Sequence, residues 1–431
     1  MTGESSALLS LYRAATAIFA PAAPLVLQWR TRLGKEDPAR RREKLGFASL
    51  TRPAGRLAWL HGASVGESLA LLPVVEALAA RGFRTLVTTG TVSSAEILKT
   101  RLPAGAAHQY APLDAPRFSR RFLDHWRPDL VLFAESELWP NLLHEVHARG
   151  IPLALVNARL SERSFERWRR IPRFARAMLG QIDLCLAQSA DDARRLAELG
   201  ARDARVCGNL KYDVPAPPVE PGELARLRAA TDGRLVWLAA STHPGEEAII
   251  FRVHARLAQS LPSLLTIVAP RHAGRGPEIA ALARQGGIDA ALRSQGAGID
   301  AGTRFYVADT MGELGLFYRL ANIVFVGKSL GGESGGQNPI EPSKLGALTL
   351  HGPDVANFLE VYSALDAAGG ARAVADPEEL AATLAALFAD PALVRRMARA
   401  AGETVAKFGG ATDAILRALE PWFPAAPGES G

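Results

Sequence analysis

Along most of the chain, short and nearly continuous apolar runs alternate with longer segments of helical spacing. RLAWLHG (56–62), RTLVTTG (84–90), DLVLFAE (129–135), PLALVNA (152–158) and IDLCLAQ (182–188) are runs of the first kind. Being apolar at consecutive positions, they predict strands buried on both faces of a parallel sheet. SLALLPVVEALAARG (68–82) has helical spacing and ends on Gly82. Residues 93–101, 139–149 and 189–199 predict further helices between the strands. Strand, turn and helix in this order build β-α-β units.

The stretch 213–234 is rich in proline and polar residues and predicts a linker running into a short helix. A second series follows: RLVWLAAS (234–241), LLTIVAP (264–270), TRFYVAD (303–309), NIVFVG (322–327) and ALTLHG (347–352), with helices at 245–260 and 376–388 among them. The chain therefore predicts two doubly wound, Rossmann-like α/β domains. Ligands bind such sheets outside the carboxyl ends of the strands, and two such domains facing each other make a cleft. We assign residues 1–50 to a membrane-associated helix and basic segment of the N-terminal domain. Residues 51–215 form the first α/β domain. Residues 216–431 form the second, with a last helix able to cross back.

Residues 14–29, AATAIFAPAAPLVLQW, carry no charge. As a helix they would reach about 24 Å, short of the roughly 30 Å bilayer core, and Pro21 and Pro24 would bend or break it. Beside them, residues 30–44 carry seven bases against three acids, a net charge of +4. That asymmetry keeps this side cytoplasmic and predicts an anchor or interfacial helix on an anionic inner leaflet. An amphipathic helix packed on its own domain gives the same pattern.

Composition narrows the function. The 431 residues are 48% hydrophobic, ample for real cores, and the net charge of +6 favours an anionic partner. Aromatics are only 7% and do not interleave with bases, which argues against nucleic acid. Two cysteines, Cys185 and Cys207, exclude a disulfide scaffold and fit a reducing compartment as small core residues. No Asp-x-Asp and no His/Cys ligand spacing point to a metal.

The candidate chemistry lies at predicted strand ends. HGASVGE (61–67) turns from a strand into a helix, where Gly62 and Gly66 permit a tight path and Glu67 falls in the first turn. An acid there suits the helix dipole as well as catalysis. FAESELWPNLL (133–143) offers Glu135 and Glu137, GNLKYD (208–213) offers Lys211, and STHPGEE (241–247) offers Ser241 and Thr242 near a helix N-terminus suited to phosphate. APRH (269–272) places Arg271 where its fork can hold a phosphate or carboxylate. DTMGEL (309–314) is a strand-to-helix turn. GKSLGGESGGQNPIEPSKLG (327–346) is glycine-rich backbone ahead of Asn338 and Glu341, fit for a nucleotide whose ribose hydroxyls meet the carboxylate.

These segments together resemble the 3-deoxy-D-manno-octulosonic acid (Kdo) transferases of lipopolysaccharide biosynthesis. The matching pieces are GKE and REKLG (within 34–46), WLHGASVGE (59–67), TTGTVSSAE (88–96), AESELWPNLL (134–143), NARLSERSF (157–165), GNLKYD, STHPGEE, APRH, DTMGEL and GGQNPIEP (335–342), in family order over nearly the whole chain. The resemblance implies the two-domain GT-B glycosyltransferase fold. It also implies metal- and cofactor-independent transfer of Kdo from CMP-Kdo to a lipid A precursor, with inversion, on the cytoplasmic face of the inner membrane. By motif, Glu67 is the general base, and Glu135, with Glu137 its neighbour, and Lys211 stabilise the transition state. Pro270, Arg271, Met311, Gly312, Glu313, Asn338, Pro339, Ile340 and Glu341 hold CMP, with Ser241 and Thr242 near the phosphate. A GT-B enzyme using a UDP-sugar, either a lipid glycosyltransferase or an epimerase, and a catalytically dead sugar-binding protein are the alternatives.

Overall fold

A computed structural model describes residues 7–331 and 335–423. The chain divides into two compact units. One runs to Val214 and takes the chain back from Gly409; the other is Pro215–Phe408.

In the first unit, seven strands form one parallel sheet: β1 (Leu57–His61), β2 (Arg84–Thr89), β3 (Ala107–Tyr110), β4 (Leu130–Ala134), β5 (Leu153–Ala158), β6 (Leu184–Ala187) and β7 (Ala204–Val206). Their order is β3-β2-β1-β4-β5-β6-β7. β1 is central, with Ala58 facing Thr85 on one side and Leu130 on the other. The chain winds outward from β1 in both directions, so the switch point lies between β1 and β4. Successive residues point to opposite faces. Trp59 and Phe133 enter one core, while Ala58, Leu60 and Leu132 enter the other. The returning helix Ala411–Leu419 packs Ala411, Ile415, Leu416 and Leu419 into that second core.

The second unit repeats the plan with β8 (Leu235–Thr242), β9 (Leu264–Pro270), β10 (Ala290–Leu292), β11 (Phe305–Val307), β12 (Ile323–Val326), β13 (Leu348–His351) and β14 (Ala371–Ala373), again all parallel. The order β10-β11-β9-β8-β12-β13-β14 puts its switch point between β8 and β12. The predicted GT-B architecture of two Rossmann-like domains is therefore correct. Missing from the sequence reading are the edge strands β3, β7, β10 and β14. At three or four residues, partly exposed, they carry no continuous apolar run. The helix predicted over 68–82 is two helices, α3 (Val65–Ala70) and Leu72–Ala80, parted where Pro73 opens the second.

At the N-terminus one helical stretch spans 26 residues, Ala7–Arg32, long and apolar enough to cross a membrane. At 1.5 Å per residue that is about 39 Å, longer than the uncharged core alone suggests. Pro21 and Pro24 do not end it. Each falls in the first turn of the segment it opens, where a missing N–H is tolerated: a 3-10 turn, Ala20–Ala22, and the helix Ala23–Arg32.

Candidate active site

At the first switch point the sequence forces a tight turn. β1 ends in His61-Gly62, and a Cβ on Gly62 would stand 3.0 Å from the backbone of Glu67 and Ser68. Any larger residue would have to push α3 back by a few tenths of an ångström. Gly66, by contrast, has open space around it. Ser64 caps α3, its hydroxyl accepting from the Glu67 N–H (3.3 Å). The Glu67 carboxylate reaches back in turn, accepting from the Ala63 N–H (2.8 Å) and the Ser64 hydroxyl (2.7 Å). This is a variant of the capping box, and it fixes the carboxylate at the carboxyl end of the sheet. GASVG (62–66) also has the G-x-S-x-G spacing of a hydrolase nucleophile. Ser64 is nonetheless in ordinary extended geometry and hydrogen-bonded to Glu67, as a cap should be.

Across the switch point, β4 delivers Glu135 and Glu137. Glu135 has φ +53°, a left-handed backbone that costs a non-glycine residue about 1 kcal/mol or more. Its carboxylate lies 3.1 Å from Lys211 Nζ, an ion pair rather than an aligned hydrogen bond. Glu137 accepts from the Trp139 indole N–H (2.6 Å) and lies 3.5 Å from Nε2 of the buried His61. Burial pushes the Glu137 carboxyl up, but hydrogen bonding and charge from His61, with Trp139, hold it below the usual range. Glu67 goes the other way. Burial raises it first, and the charges of Glu137 and Glu135 raise it further, against the hydrogen bonds of Ser64 and Ala63. A half-buried carboxylate raised in this way can accept a proton from a hydroxyl. The structure thus brings Glu67, Glu135, Glu137 and Lys211 to one switch point.

The strand ends of the second sheet carry the other predicted residues, some at its switch point and Met311, Gly312 and Glu313 after β11. Ser241, one residue before the end of β8, has φ +57°, and Lys328 follows β12 with φ +60°. Thr242 is buried and donates to Glu247 Oε1 (2.9 Å), while its carbonyl accepts from the Arg271 N–H (3.0 Å). Pro270 closes β9, and the Arg271 side chain is exposed. Met311 is exposed, and Gly312 takes φ +83°. The Glu313 carboxylate is held by Arg293 (2.6 Å to Nε) and by the Thr310 hydroxyl, and lies below the usual range chiefly because of Arg293. Asn338 Oδ1 accepts from the Ile340 N–H (2.9 Å), ahead of the short helix Ile340–Lys344 that contains Glu341 and follows the buried Pro339.

A family described as 3-deoxy-D-manno-octulosonic-acid transferase (kdotransferase) matches residues 39–214. A probable mitochondrial 3-deoxy-D-manno-octulosonic acid transferase of Arabidopsis thaliana is 37% identical over 83% of this chain and 82% of its own length. The 3-deoxy-D-manno-octulosonic acid transferase of Bordetella pertussis is 34% identical over 93% and 97%. The chain belongs to the Kdo transferases. Among solved structures, UDP-GlcNAc 2-epimerase from Neisseria meningitidis bound to UDP-GlcNAc covers 85% of this chain and 100% of its own, with a TM-score of 0.59 at 15% identity, a likeness of fold alone.

Four further residues of this Kdo transferase escaped the sequence reading. His61 touches Glu137, as described. Asn157 has φ +53° at the end of β5, and its Oδ1 accepts from the Leu210 N–H (2.9 Å), anchoring the turn that carries Lys211. Lys44 is buried and donates to the Gly90 carbonyl (2.9 Å), while the Gly90 N–H donates to the Ala63 carbonyl (3.1 Å). The basic segment thereby braces the loop that orients Glu67. Glu246 is 1% exposed and accepts from the backbone N–H groups of His243 (2.9 Å), Lys328 (2.7 Å), Ser329 (3.1 Å) and Leu330 (3.2 Å), tying the loops after β8 and β12 together. One of the four, Asn157, shares a signal with Glu135, Ser241 and Lys328: a non-glycine residue in left-handed backbone where a strand ends. Backbone angles, however, are not legible in residue names.

Proposed function

We propose that this Kdo transferase moves Kdo from CMP-Kdo to a lipid A precursor, lipid IVA, with inversion and without a metal. The observation that carries the reading is the Glu67 carboxyl, raised by burial and by two neighbouring acids and held by its own cap at the first switch point. Glu67 takes the proton from an acceptor hydroxyl as that oxygen bonds to the anomeric carbon of Kdo. The bond from that carbon to the phosphate oxygen breaks on the opposite face, which inverts the centre, and CMP leaves with the electron pair. The Lys211–Glu135 pair sets the field around the developing positive charge on the sugar. Arg271, with Met311, Gly312, Glu313 and the Asn338–Glu341 segment, holds the nucleotide, and Ser241 and Thr242 lie near its phosphate. Domain assignments follow: the first unit activates the acceptor, and the second binds the donor.

The protein works at the cytoplasmic face of the inner membrane on this reading. Support comes from the apolar N-terminal helix, whose Leu8, Leu11, Ile18, Phe19, Leu25 and Trp29 are exposed. In the basic segment Glu36 and Glu43 are buried against Arg30, Lys44 and Arg40. A second basic stretch, Arg159–Arg176, holds seven arginines against two glutamates, and its helix Pro172–Leu179 packs against the N-terminal helix. Both suit an anionic lipid surface. Turnover of CMP-Kdo with lipid IVA by the full chain is the deciding assay. Turnover of a UDP-sugar instead, or none with CMP-Kdo, would overturn the donor assignment.

A further inference from the structure

The first helix, α1 (Ala7–Phe19), is attached to its unit in an unusual way. A helix packed on a soluble core turns its apolar stripe inward. Here only Leu9 is buried, while Leu11, Ile18 and Phe19 are 64–73% exposed. Polar groups make the attachment instead. The Tyr12 hydroxyl donates to Asp114 Oδ2 (3.0 Å), Arg13 Nη2 lies 3.3 Å from Glu145 Oε1, and Asn141 Nδ2 donates to Thr16 Oγ1 (3.1 Å). All three reach the same target: the helix Pro140–Ala148 or the carboxylate that caps it.

Asp114 is 9% exposed and accepts from the N–H groups of Asn141 (3.1 Å) and Leu142 (2.9 Å) and from Asn141 Nδ2 (3.2 Å). It therefore caps a helix whose own N-cap residue, Trp139, supplies no side-chain bond. Between the end of β4 at Ala134 and Pro140 lie only Glu135, Ser136, Glu137, Leu138 and Trp139. That arc is short. The sheet fixes one end, and the capped helix fixes the other. Moving the start of the helix moves both carboxylates and the indole that holds Glu137.

We propose that α1 is a positioning element for this arc, acting through a relay of Tyr12, Asp114 and Asn141. Tyr12 is a positioning residue and touches no reacting atom. Its hydroxyl takes one lone-pair direction of the capping carboxylate and so orients the cap that sets where Glu135 and Glu137 stand. The inference rests on reading Glu67, Glu135 and Lys211 as the reacting site. It does not depend on the membrane assignment, although a helix seated in a lipid surface would transmit its seating by the same bonds.

Tyr12→Phe keeps the ring and removes one hydrogen bond, so it leaves folding intact. Full-length wild type, Tyr12→Phe and Glu67→Gln are assayed with CMP-Kdo and lipid IVA, and their co-sedimentation with phosphatidylglycerol-containing vesicles is measured. For Tyr12→Phe we expect kcat to fall about tenfold, the scale of a small misplacement, with KM for CMP-Kdo within twofold and wild-type sedimentation. A second readout separates positioning from stapling. Glu67 is flanked by Glu135 and Glu137, with Lys211 and His61 on those acids. A displaced arc weakens the push on Glu67, so the acid limb of kcat/KM moves to lower pH. A Tyr12→Phe enzyme with wild-type kcat, or with reduced kcat but an unmoved acid limb, overturns the relay. Near-normal turnover by Glu67→Gln defeats the site reading, and a wild type that stays off the vesicles defeats the membrane reading. Each is a failure separate from that of the relay.

Discussion

The two units use one sheet plan and opposite electrostatics. At the first switch point, Glu135 and Glu137 lie close enough to raise Glu67, and the groups that temper the acids are Lys211 beside Glu135 and His61 beside Glu137. At the second, three of the described acids near the strand ends are engaged. Glu246 takes four backbone N–H groups, Glu247 takes Thr242 and Arg275 (2.7 Å), and Glu313 takes Arg293. Crowded acids make a proton acceptor; acids already engaged by cations and amides oppose an anionic donor less. On the proposed reading, the same fold divides acceptor activation from donor binding by where its carboxylates find partners.

The comparison breaks most visibly at Glu67. Glu67→Gln should lower turnover by about 10²–10⁴-fold, the worth of a general base, while calorimetric CMP affinity stays within twofold. Loss of CMP binding in this variant would mean that the two regions are not divided as described. Arg271→Ala should do the converse: donor KM rises about tenfold, as when one charge-assisted contact is lost, with kcat little changed. A fall in kcat at unchanged KM would move Arg271 out of binding.

How much of this division was legible in the sequence can be judged residue by residue. The central strands announced themselves, because strands buried on both faces must be continuously apolar. The motifs that place Glu67, Glu135 and Lys211 together were legible because they fall where predicted strands end. What the sequence hid was partnership. Thr242 and Glu313, placed by motif at the nucleotide, also bond within the fold, to Glu247 and Arg293. Asn157 and Lys44 looked ordinary, because their work is a single bond to a backbone group distant in the chain. Pairings over such separations are set by the fold and leave no local pattern.

A smaller test concerns the neutralised side. Hydrogen bonds from Arg226 first, and then from Arg293, hold the Glu223 carboxyl down at about 2. A depressed carboxyl stabilises the native state above its unfolded value and loses that contribution as pH falls towards 2. Arg293→Met removes a partner of both Glu223 and Glu313. At pH 7 the expected cost is about 1 kcal/mol, kept modest because the pairs are partly solvated. The acid-side decline between pH 4 and 2 should also become shallower. An unchanged decline by thermal unfolding would show that Arg226 alone accounts for Glu223.

The smallest effect, and the sharpest on the crowded side, is on stability at Glu67. A carboxyl raised on folding binds its proton more tightly in the native state, so stability falls as pH rises through the window between the unfolded and folded values. Above that window the native protein carries the cost. Glu67→Gln removes the ionisation and still offers an oxygen to the Ala63 N–H, since glutamine serves in a capping box as glutamate does. The variant that abolishes transfer should therefore melt about 1–2 °C above wild type at pH 7, with the gap closing near pH 4. A lower melting temperature at pH 7 would mean that the cap outweighs the repulsion and that Glu67 is held there for the helix rather than for the proton.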